Sequence, residues 1–144
     1  MNQLLIFETF VLVKHHVDKI YDDQLRLGDM YNYYDFGSYM IYSAYPQYKV
    51  FIDGRAEMYG PQRLKEYFSV IGIEPGWEQT LKKYNVNFII INNSSIFSKF
   101  LLNNNMWKIV YSDEVADIFV RNVSENKLLI EKFTAMSEKI HNNL

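Results

Sequence analysis

The sequence predicts an α/β fold, a layered sandwich whose mostly parallel sheet has about five strands and ends in an antiparallel edge hairpin. Short apolar runs rich in β-branched and aromatic residues alternate with segments whose apolar residues recur at helical spacing. The run Val86–Ile91 is apolar at nearly every position, as expected of a central parallel strand that is buried on both faces. The length of 144 residues suits a single domain, 1–144.

The first part of the chain contains an apolar segment and a helical pattern. Leu4–Val13 is too short to span a bilayer and lacks the features of a signal peptide. Two interpretations of residues 1–13 stay open: a core element, or a stub that follows a membrane span in a longer parent protein. Apolar residues then recur at helical spacing as far as Tyr21 and predict an amphipathic helix.

Two strands are predicted on either side of a helix in the next part of the chain. Met30–Tyr34 and Lys49–Ile52 carry the apolar and aromatic residues typical of strands. Asp35 is predicted to cap the helix between them, because its carboxylate can accept from the free N–H groups of a first helical turn. That helix covers residues 36–45 and stops at Pro46.

Three helices are predicted in the middle of the chain. The segment 61–72 begins with proline and ends with glycine, which is typical of helix boundaries. Its predicted buried stripe consists of Leu64, Tyr67, Phe68 and Ile71. A short helix over 77–84 precedes the apolar strand, and a helix that Ser94 or Ser95 caps follows it through Leu102.

The last part of the chain predicts a hairpin and a helix. Trp107–Tyr111 and Asp117–Arg121 are apolar runs separated by a short polar turn, so they are expected to pair antiparallel. Residues 125–144 form a polar, amphipathic segment that is predicted to be the C-terminal helix.

Composition excludes several functions. Hydrophobic residues make up 49% of the chain, charged residues 22%, and the formal net charge is −2. Neither disorder nor a basic surface for nucleic acid is predicted from these values. The chain has no cysteine, which excludes thiol catalysis, disulfides and cysteine-ligated zinc within it. Its three histidines have no metal-ligand spacing, so no metal and no cofactor is predicted.

Polar loops follow three of the predicted strands. In α/β sheets, ligands bind beyond the carboxyl ends of the parallel strands. The residues of these loops that form the predicted substrate-binding rim are Tyr34, Asp35, Asp53, Arg55, Asn92 and Ser94. Arg55 has the planar donor geometry that suits phosphate or carboxylate. Free N–H groups at the starts of the following helices favour an anion at the same rim.

The same residues have a structural interpretation. Asp35 can act as a helix cap alone, and Asp53 with Arg55 can form a turn with a local ion pair. Gly37 and Gly54 are predicted to meet backbone requirements of the turns. The triplet Asp35-Phe36-Gly37 lacks every other kinase motif, and neither a nucleophile elbow nor a glycine-rich phosphate loop occurs. No catalytic residue is therefore predicted.

The stretch from Tyr31 to Gly60 resembles a run found in multi-spanning membrane proteins of bacteria and archaea. The run has roughly the form N-x-Y-x-[WF]-G-[GS]-Y-[LM]-I, then Y-P, then K-V-F-I-D-G-R-A-[DE]-x-Y-G, and here it begins at Asn32. Those proteins are described as glycosyltransferases or have no assigned function. The run lies in a soluble domain after their last transmembrane helix, and the resemblance continues here to near Arg121.

Tyr33–Gly37 is also distantly similar to the W-W-D-Y-G motif of oligosaccharyltransferase catalytic subunits. In those subunits the motif opens a helix of the soluble C-terminal domain, and its Asp helps to recognise the acceptor sequon. The similarity implies that role for Asp35. The catalytic carboxylates of this superfamily, the polytopic GT-C-like glycosyltransferases, lie on loops between transmembrane helices. The similarity therefore implies that this domain is not catalytic alone.

The resemblance implies an accessory domain on the extracytoplasmic side of the cell membrane, within a polytopic glycosyltransferase that uses lipid-linked sugars. The implied partners are the membrane-embedded part of the same protein and a lipid-linked sugar or acceptor. Two alternatives stay open. A structural or protein–protein interaction module predicts a contiguous exposed tyrosine surface. A free-standing enzyme predicts a pocket with paired titratable groups.

Overall fold

The computed structural model of the protein describes residues 29–44 and 49–143. The two interpretations of residues 1–13, the helix predicted up to Tyr21 and the stop at Pro46 lie outside the described residues. No helix in the described part of the chain is long and apolar enough to cross a membrane.

Within the described residues, four strands and five α-helices make up the fold. The strands are β1 (Asp29–Asn32), β2 (Val86–Asn92), β3 (Trp107–Ser112) and β4 (Ala116–Arg121). The helices are α1 (Gly37–Ala44), α2 (Ala56–Ile71), α3 (Trp77–Lys83), α4 (Ile96–Leu102) and α5 (Lys127–Asn142). Single 3₁₀ turns at Tyr34–Phe36 and Ser124–Asn126 precede α1 and α5.

The strands form one mixed sheet in the order β1-β2-β4-β3. Among the described strands, β1 and β2 run parallel, while β4 is antiparallel to both of its neighbours. The α/β class and the β3–β4 hairpin are confirmed. The prediction of about five mostly parallel strands is wrong, because Lys49–Ile52 is not a strand in this sheet. The side chain of Asn32 supplies the hydrogen bonds that a strand partner would give to that segment.

Strand β2 is central and divides the core into two layers. Phe88 and Ile90 belong to the layer that contains Met40 of α1 and Leu129 of α5. Ile89 belongs to the opposite layer, together with buried side chains of α2, α3 and α4. Because successive side chains of a strand point to opposite faces, a strand covered by helices on both faces must be apolar throughout.

Helix α2 differs from its prediction at its start and on its buried face. It begins at Ala56 and is interrupted at Gly60, whose φ of 78° and ψ of 162° are not helical. Pro61 begins the regular part after this kink, and Gly72 caps the end as predicted. Tyr67 and Val70 are the buried residues of α2, whereas Phe68 is 60% exposed. The predicted stripe was therefore wrong at Phe68, because the face of α2 that meets the sheet is rotated toward Val70.

Helix α4 is fixed by serine hydroxyls. Ser95 is its cap, and its side chain accepts from the N–H of Ser98 at 3.0 Å. The Ser98 hydroxyl donates at 2.5 Å to the buried carboxylate of Asp117 on β4. Ser112 of β3 donates to the other oxygen of Asp117 at 2.6 Å. These bonds offset the cost of burying a carboxylate and join α4 to the hairpin.

Glu66 links α2 to α3 by hydrogen bonds and makes the free energy of unfolding depend on pH. Its carboxylate accepts from Lys83 Nζ at 2.5 Å, from the Tyr84 hydroxyl and from Gln62 Nε2 at 3.1 Å. Burial raises the pKa of Glu66, but the hydrogen bonds outweigh it and lower the pKa from 4.5 to about 2. A carboxyl whose pKa is depressed by folding stabilises the fold above its unfolded pKa. This contribution is lost as the pH falls from 4.5 to about 2.

The variant E66Q is therefore expected to be less stable than wild type at pH 6 and to lose less stability between pH 4.5 and 2. Denaturant unfolding at a series of pH values measures both effects. The control is E131Q, because Glu131 lies in an exposed pair with Lys127 at 3.7 Å. This variant should leave the pH dependence of the free energy of unfolding unchanged. If the free energy of unfolding of E66Q depended on pH as strongly as that of wild type, Glu66 would not be the source of the acid sensitivity.

Candidate functional site

The two loops Tyr33–Gly37 and Phe51–Arg55 meet at Gly37. A Cβ atom at Gly37 would lie 2.2 Å from the carbonyl oxygen of Ile52 and 2.6 Å from Cα of Asp53. Cβ atoms do not approach backbone this closely, so only glycine admits the second loop against the start of α1. The absence of a side chain at this position is therefore what brings the two loops together.

The side chain of Asn32 holds the second loop from the end of β1. Its Oδ1 accepts from the N–H of Phe51 at 2.7 Å and from that of Ile52 at 3.4 Å. Its Nδ2 donates to the carbonyl of Ile52 at 2.8 Å. Asn32, Phe51 and Ile52 are all fully buried. One carboxamide thus replaces two strand-type hydrogen bonds, and buried backbone groups that would otherwise be unpaired are satisfied.

Asp53 is a buried anion that donors of Arg55 and Tyr59 surround. Its side chain is 1% exposed and accepts from the Arg55 N–H at 2.7 Å, from Arg55 Nη2 at 2.7 Å and from the Tyr59 hydroxyl at 2.8 Å. The hydrogen bonds from Arg55 lower the pKa of Asp53 and outweigh the opposing effect of burial. Asp53 is therefore ionised at neutral pH and turned toward its own loop.

Arg55 faces outward from the same loop. Its side chain is 58% exposed although one side of the guanidinium is bonded to Asp53. Asp53 raises the pKa of Arg55, and burial raises the pKa of Tyr59, with the Asp53 carboxylate adding to that rise. The three side chains form one hydrogen-bonded group whose charges are fixed near neutral pH. Such a group suits binding rather than proton transfer.

Asp35 is exposed on a turn that α2 braces from behind. It lies inside the 3₁₀ turn Tyr34–Phe36, and Tyr33 is the residue that precedes this turn, so the prediction of Asp35 as a helix cap is wrong. The buried hydroxyl of Tyr67 accepts from the Tyr34 N–H at 2.9 Å. Burial raises the pKa of Tyr67, which keeps this phenol neutral.

Asn92 and Ser94 form a turn of their own at the end of β2. Asn92 Oδ1 accepts from the N–H of Ser94 at 2.9 Å and from its hydroxyl at 2.5 Å. Strand β2 is parallel to β1, so this turn lies on the same edge of the sheet as the end of β1. No hydrogen bond within 29–44 and 49–143 joins it to Asp53, Arg55 or Asp35. The structure therefore places Tyr34, Asp35, Asp53 and Arg55 on two adjoining loops, and Asn92 and Ser94 on a separate turn at the same edge of the sheet.

Arg63 fastens the second loop onto α2. Its guanidinium carbon lies 3.9 Å from the ring centre of Phe51 and 4.0 Å from that of Tyr84. Its Nε donates to the Phe51 carbonyl at 3.1 Å. Cation–π contacts and a charge-assisted hydrogen bond thus hold Phe51 in addition to Asn32.

The sequence analysis did not identify Asn32, Tyr59, Arg63 and Tyr67 as residues that build this site. Asn32 and Tyr59 stand in the quoted pattern as its first N and its last Y, so the pattern held a signal for both. Arg63 and Tyr67 lie on α2 outside the pattern, and only the packing of α2 brings them to the loops. In the described part of the chain, no group of three or more histidine, aspartate or glutamate side chains is placed to hold a metal ion.

Comparisons with known proteins give one structural likeness. No protein-family model matches the chain, and no curated protein matches it. The crystal structure of the C-terminal globular domain of an oligosaccharyltransferase from Archaeoglobus fulgidus superposes with a TM-score of 0.51. The superposition covers 76% of this chain and 95% of that domain, at 8% sequence identity. At this identity the likeness is one of fold.

Proposed function

We propose that this chain is an extracytoplasmic accessory domain of a polytopic membrane glycosyltransferase that uses lipid-linked sugars, and that it is not catalytic alone. The observation that carries the proposal is the junction at Gly37, which presents Asp35 and Arg55 to solvent on two adjoining loops. The likeness to an oligosaccharyltransferase C-terminal domain supports it. In this proposal, the membrane-embedded part of the same protein supplies the catalytic groups.

Asp35 is the residue proposed to contact the acceptor. It is exposed, it stands on a turn braced by Tyr67, and its motif resembles one that recognises acceptors in oligosaccharyltransferases. An exposed carboxylate on a rigid turn can accept hydrogen bonds from hydroxyl and N–H groups of an acceptor. Asp53 has no such role here, because its oxygens are already occupied by Arg55 and Tyr59.

The proposal predicts that D35N in the full-length protein lowers sugar transfer by about tenfold or more, since a hydrogen bond to a charged group is worth ~1.5–3 kcal/mol. A strain that lacks the gene is complemented with wild type or variant, and labelled sugar on acceptors is measured against protein level. The control is D29N, an exposed acid at the other end of β1, which should transfer normally. Normal transfer by D35N at normal protein level would refute the acceptor role.

The second candidate is a structural or protein–protein interaction module. It is favoured by large apolar side chains on the surface, notably Tyr42 of α1, which is 86% exposed, and Phe68 of α2. The variant Y42S distinguishes the two candidates in the same strain. A fall in the protein level or assembly of the parent in Y42S, together with normal transfer by D35N, would favour the interaction module.

A further inference from the structure

We propose that the outer edge of the Arg55 guanidinium is a binding site for a phosphate group, and that Asp53 and Tyr59 are its positioning residues. The inference rests on the proposed function, in which the phosphate belongs to a phosphorylated lipid carrier. It adds a ligand class and a division of roles: Arg55 contacts the ligand, whereas Asp53 acts only through Arg55.

The geometry of the ion pair leaves one edge of the guanidinium open. Asp53 occupies the side formed by Nε and Nη2, with Nε at 3.2 Å from Oδ1 and Nη2 at 2.7 Å from Oδ2. The Tyr59 hydroxyl also interacts with the guanidinium, yet the side chain of Arg55 as a whole is 58% exposed. The end-on edge, with one N–H on Nη1 and one on Nη2, can therefore donate two hydrogen bonds to one oxyanion.

The open edge is fixed in place before any ligand binds. Asp53 is itself held by the backbone N–H of Arg55 and by the hydroxyl of Tyr59, and it lies buried against Gly37. A free arginine loses rotamer freedom when it binds, but Arg55 has largely lost that freedom already. Preorganisation of this kind improves affinity without new contacts.

A phosphate fits this place better than a carboxylate. The hydroxyl of Ser38, an exposed residue of α1, lies 3.7 Å from where a Cβ of Gly54 would be, so a further donor borders the loop. A carboxylate bound to this edge uses both of its oxygens, whereas a phosphate bound in the same way keeps further oxygens for such a hydroxyl. Asp53 offsets the charge of Arg55, Glu57 is an exposed acid two residues further along the chain, and Asp35 is an exposed acid on the adjoining loop. Recognition of phosphate therefore depends on two oxygens that meet the two N–H groups, and a monatomic anion such as chloride lacks them.

The test is an NMR titration of the 144-residue chain with inorganic phosphate, following the Nε–H signal of Arg55, with acetate and chloride at matched ionic strength. We expect a saturable shift with phosphate, and binding of acetate that is weaker. In R55K the ammonium can keep the ion pair with Asp53 but has no second planar edge. Its phosphate affinity, followed by backbone amides of the loop, is expected to be about tenfold lower or worse at unchanged unfolding temperature.

A second variant tests the site independently, in case R55K does not fold. Y59F removes one donor from Asp53 and leaves Arg55 in place, so phosphate should bind with intermediate affinity, while Y42F, at an exposed tyrosine, should bind as wild type. Methyl phosphate and vesicles containing phosphatidylglycerol then distinguish a soluble phosphoester from a lipid headgroup as the source.

Absence of saturation, equal affinity for acetate, or wild-type affinity in R55K would each overturn the inference. Its failure is distinguishable from that of the proposed function. If phosphate does not bind but D35N still lowers sugar transfer, only the role of Arg55 is lost. If phosphate binds and D35N transfers normally, Arg55 keeps its ligand and the acceptor role of Asp35 is lost.

Discussion

Replacing Gly37 with alanine is expected to lower the free energy of unfolding by about 3 kcal/mol, the upper end of the usual cost of overpacking. Gly37 has helical backbone angles, with φ −57° and ψ −48°. On helix propensity alone, alanine would stabilise such a position by about 1 kcal/mol. The new methyl group would instead lie 2.2 Å from the Ile52 carbonyl oxygen and 2.7 Å from Cβ of Asp53. The loop would have to move, because the nearest of these atoms is backbone.

The matched control is G54A, one loop away from Gly37. A Cβ at Gly54 would meet only the Ser38 hydroxyl, at an ordinary contact distance of 3.7 Å. We expect G54A to change the free energy of unfolding by less than about 0.5 kcal/mol. Denaturant unfolding of both variants measures the difference. Equal stabilities of G37A and G54A would mean that the loops do not touch as described.

Replacing Asn32 with leucine is expected to cost about 3 kcal/mol or more. Leucine has the same branching and the same number of side-chain heavy atoms, but it leaves the N–H of Phe51 and the carbonyl of Ile52 without the bonds at 2.7 and 2.8 Å. Each buried polar group that loses its partner costs roughly 1–3 kcal/mol. N32D should cost at least as much at neutral pH, because it buries a carboxylate whose second oxygen stands where the donor to the Ile52 carbonyl was.

The control for Asn32 is an exposed asparagine. Asn103 donates to the Lys99 carbonyl at 3.2 Å on the surface, and N103L is expected to change stability by less than about 0.5 kcal/mol. Denaturant unfolding of N32L, N32D and N103L measures the change in stability of each variant. Wild-type stability of N32L would show that the second loop does not depend on Asn32.

Features decided by local sequence were predictable. The apolar run of β2, the turn between β3 and β4, the Gly72 end of α2 and the Ser95 cap each depend on a few neighbouring residues. Strand direction was not predictable in this way. An apolar run indicates burial on both faces, but β2 is parallel to β1 and antiparallel to β4, and its own residues do not encode either partner.

The segment Lys49–Ile52 shows why strand propensity alone misleads. Val50, Phe51 and Ile52 have the side chains of a strand, and Phe51 and Ile52 are fully buried. Their partner, however, is the side chain of Asn32, some twenty residues earlier in the chain. Burial was therefore predictable from the residues, whereas the absence of a ladder depends on a tertiary contact.

The candidate site divides in the same way. Asp53 and Arg55 are two residues apart, so their ion pair follows from the turn itself. The contact between Gly37 and Asp53 joins loops that are distant in sequence. The brace from Tyr67 to Tyr34 spans 33 residues and has no local pattern. Strands β1 and β2 are parallel and end at one edge of the sheet, as the predicted rim requires, and the ligand role of its residues stays a prediction.

Native-state hydrogen exchange at the amide of Phe51 tests most directly whether the two loops form one unit. This N–H lies outside regular secondary structure but donates to Asn32 Oδ1 at 2.7 Å in a fully buried place. We expect protection close to that of the β2 amides, because breaking this hydrogen bond requires global unfolding. Exchange as fast as that of Glu114, in the exposed hairpin turn, would contradict it.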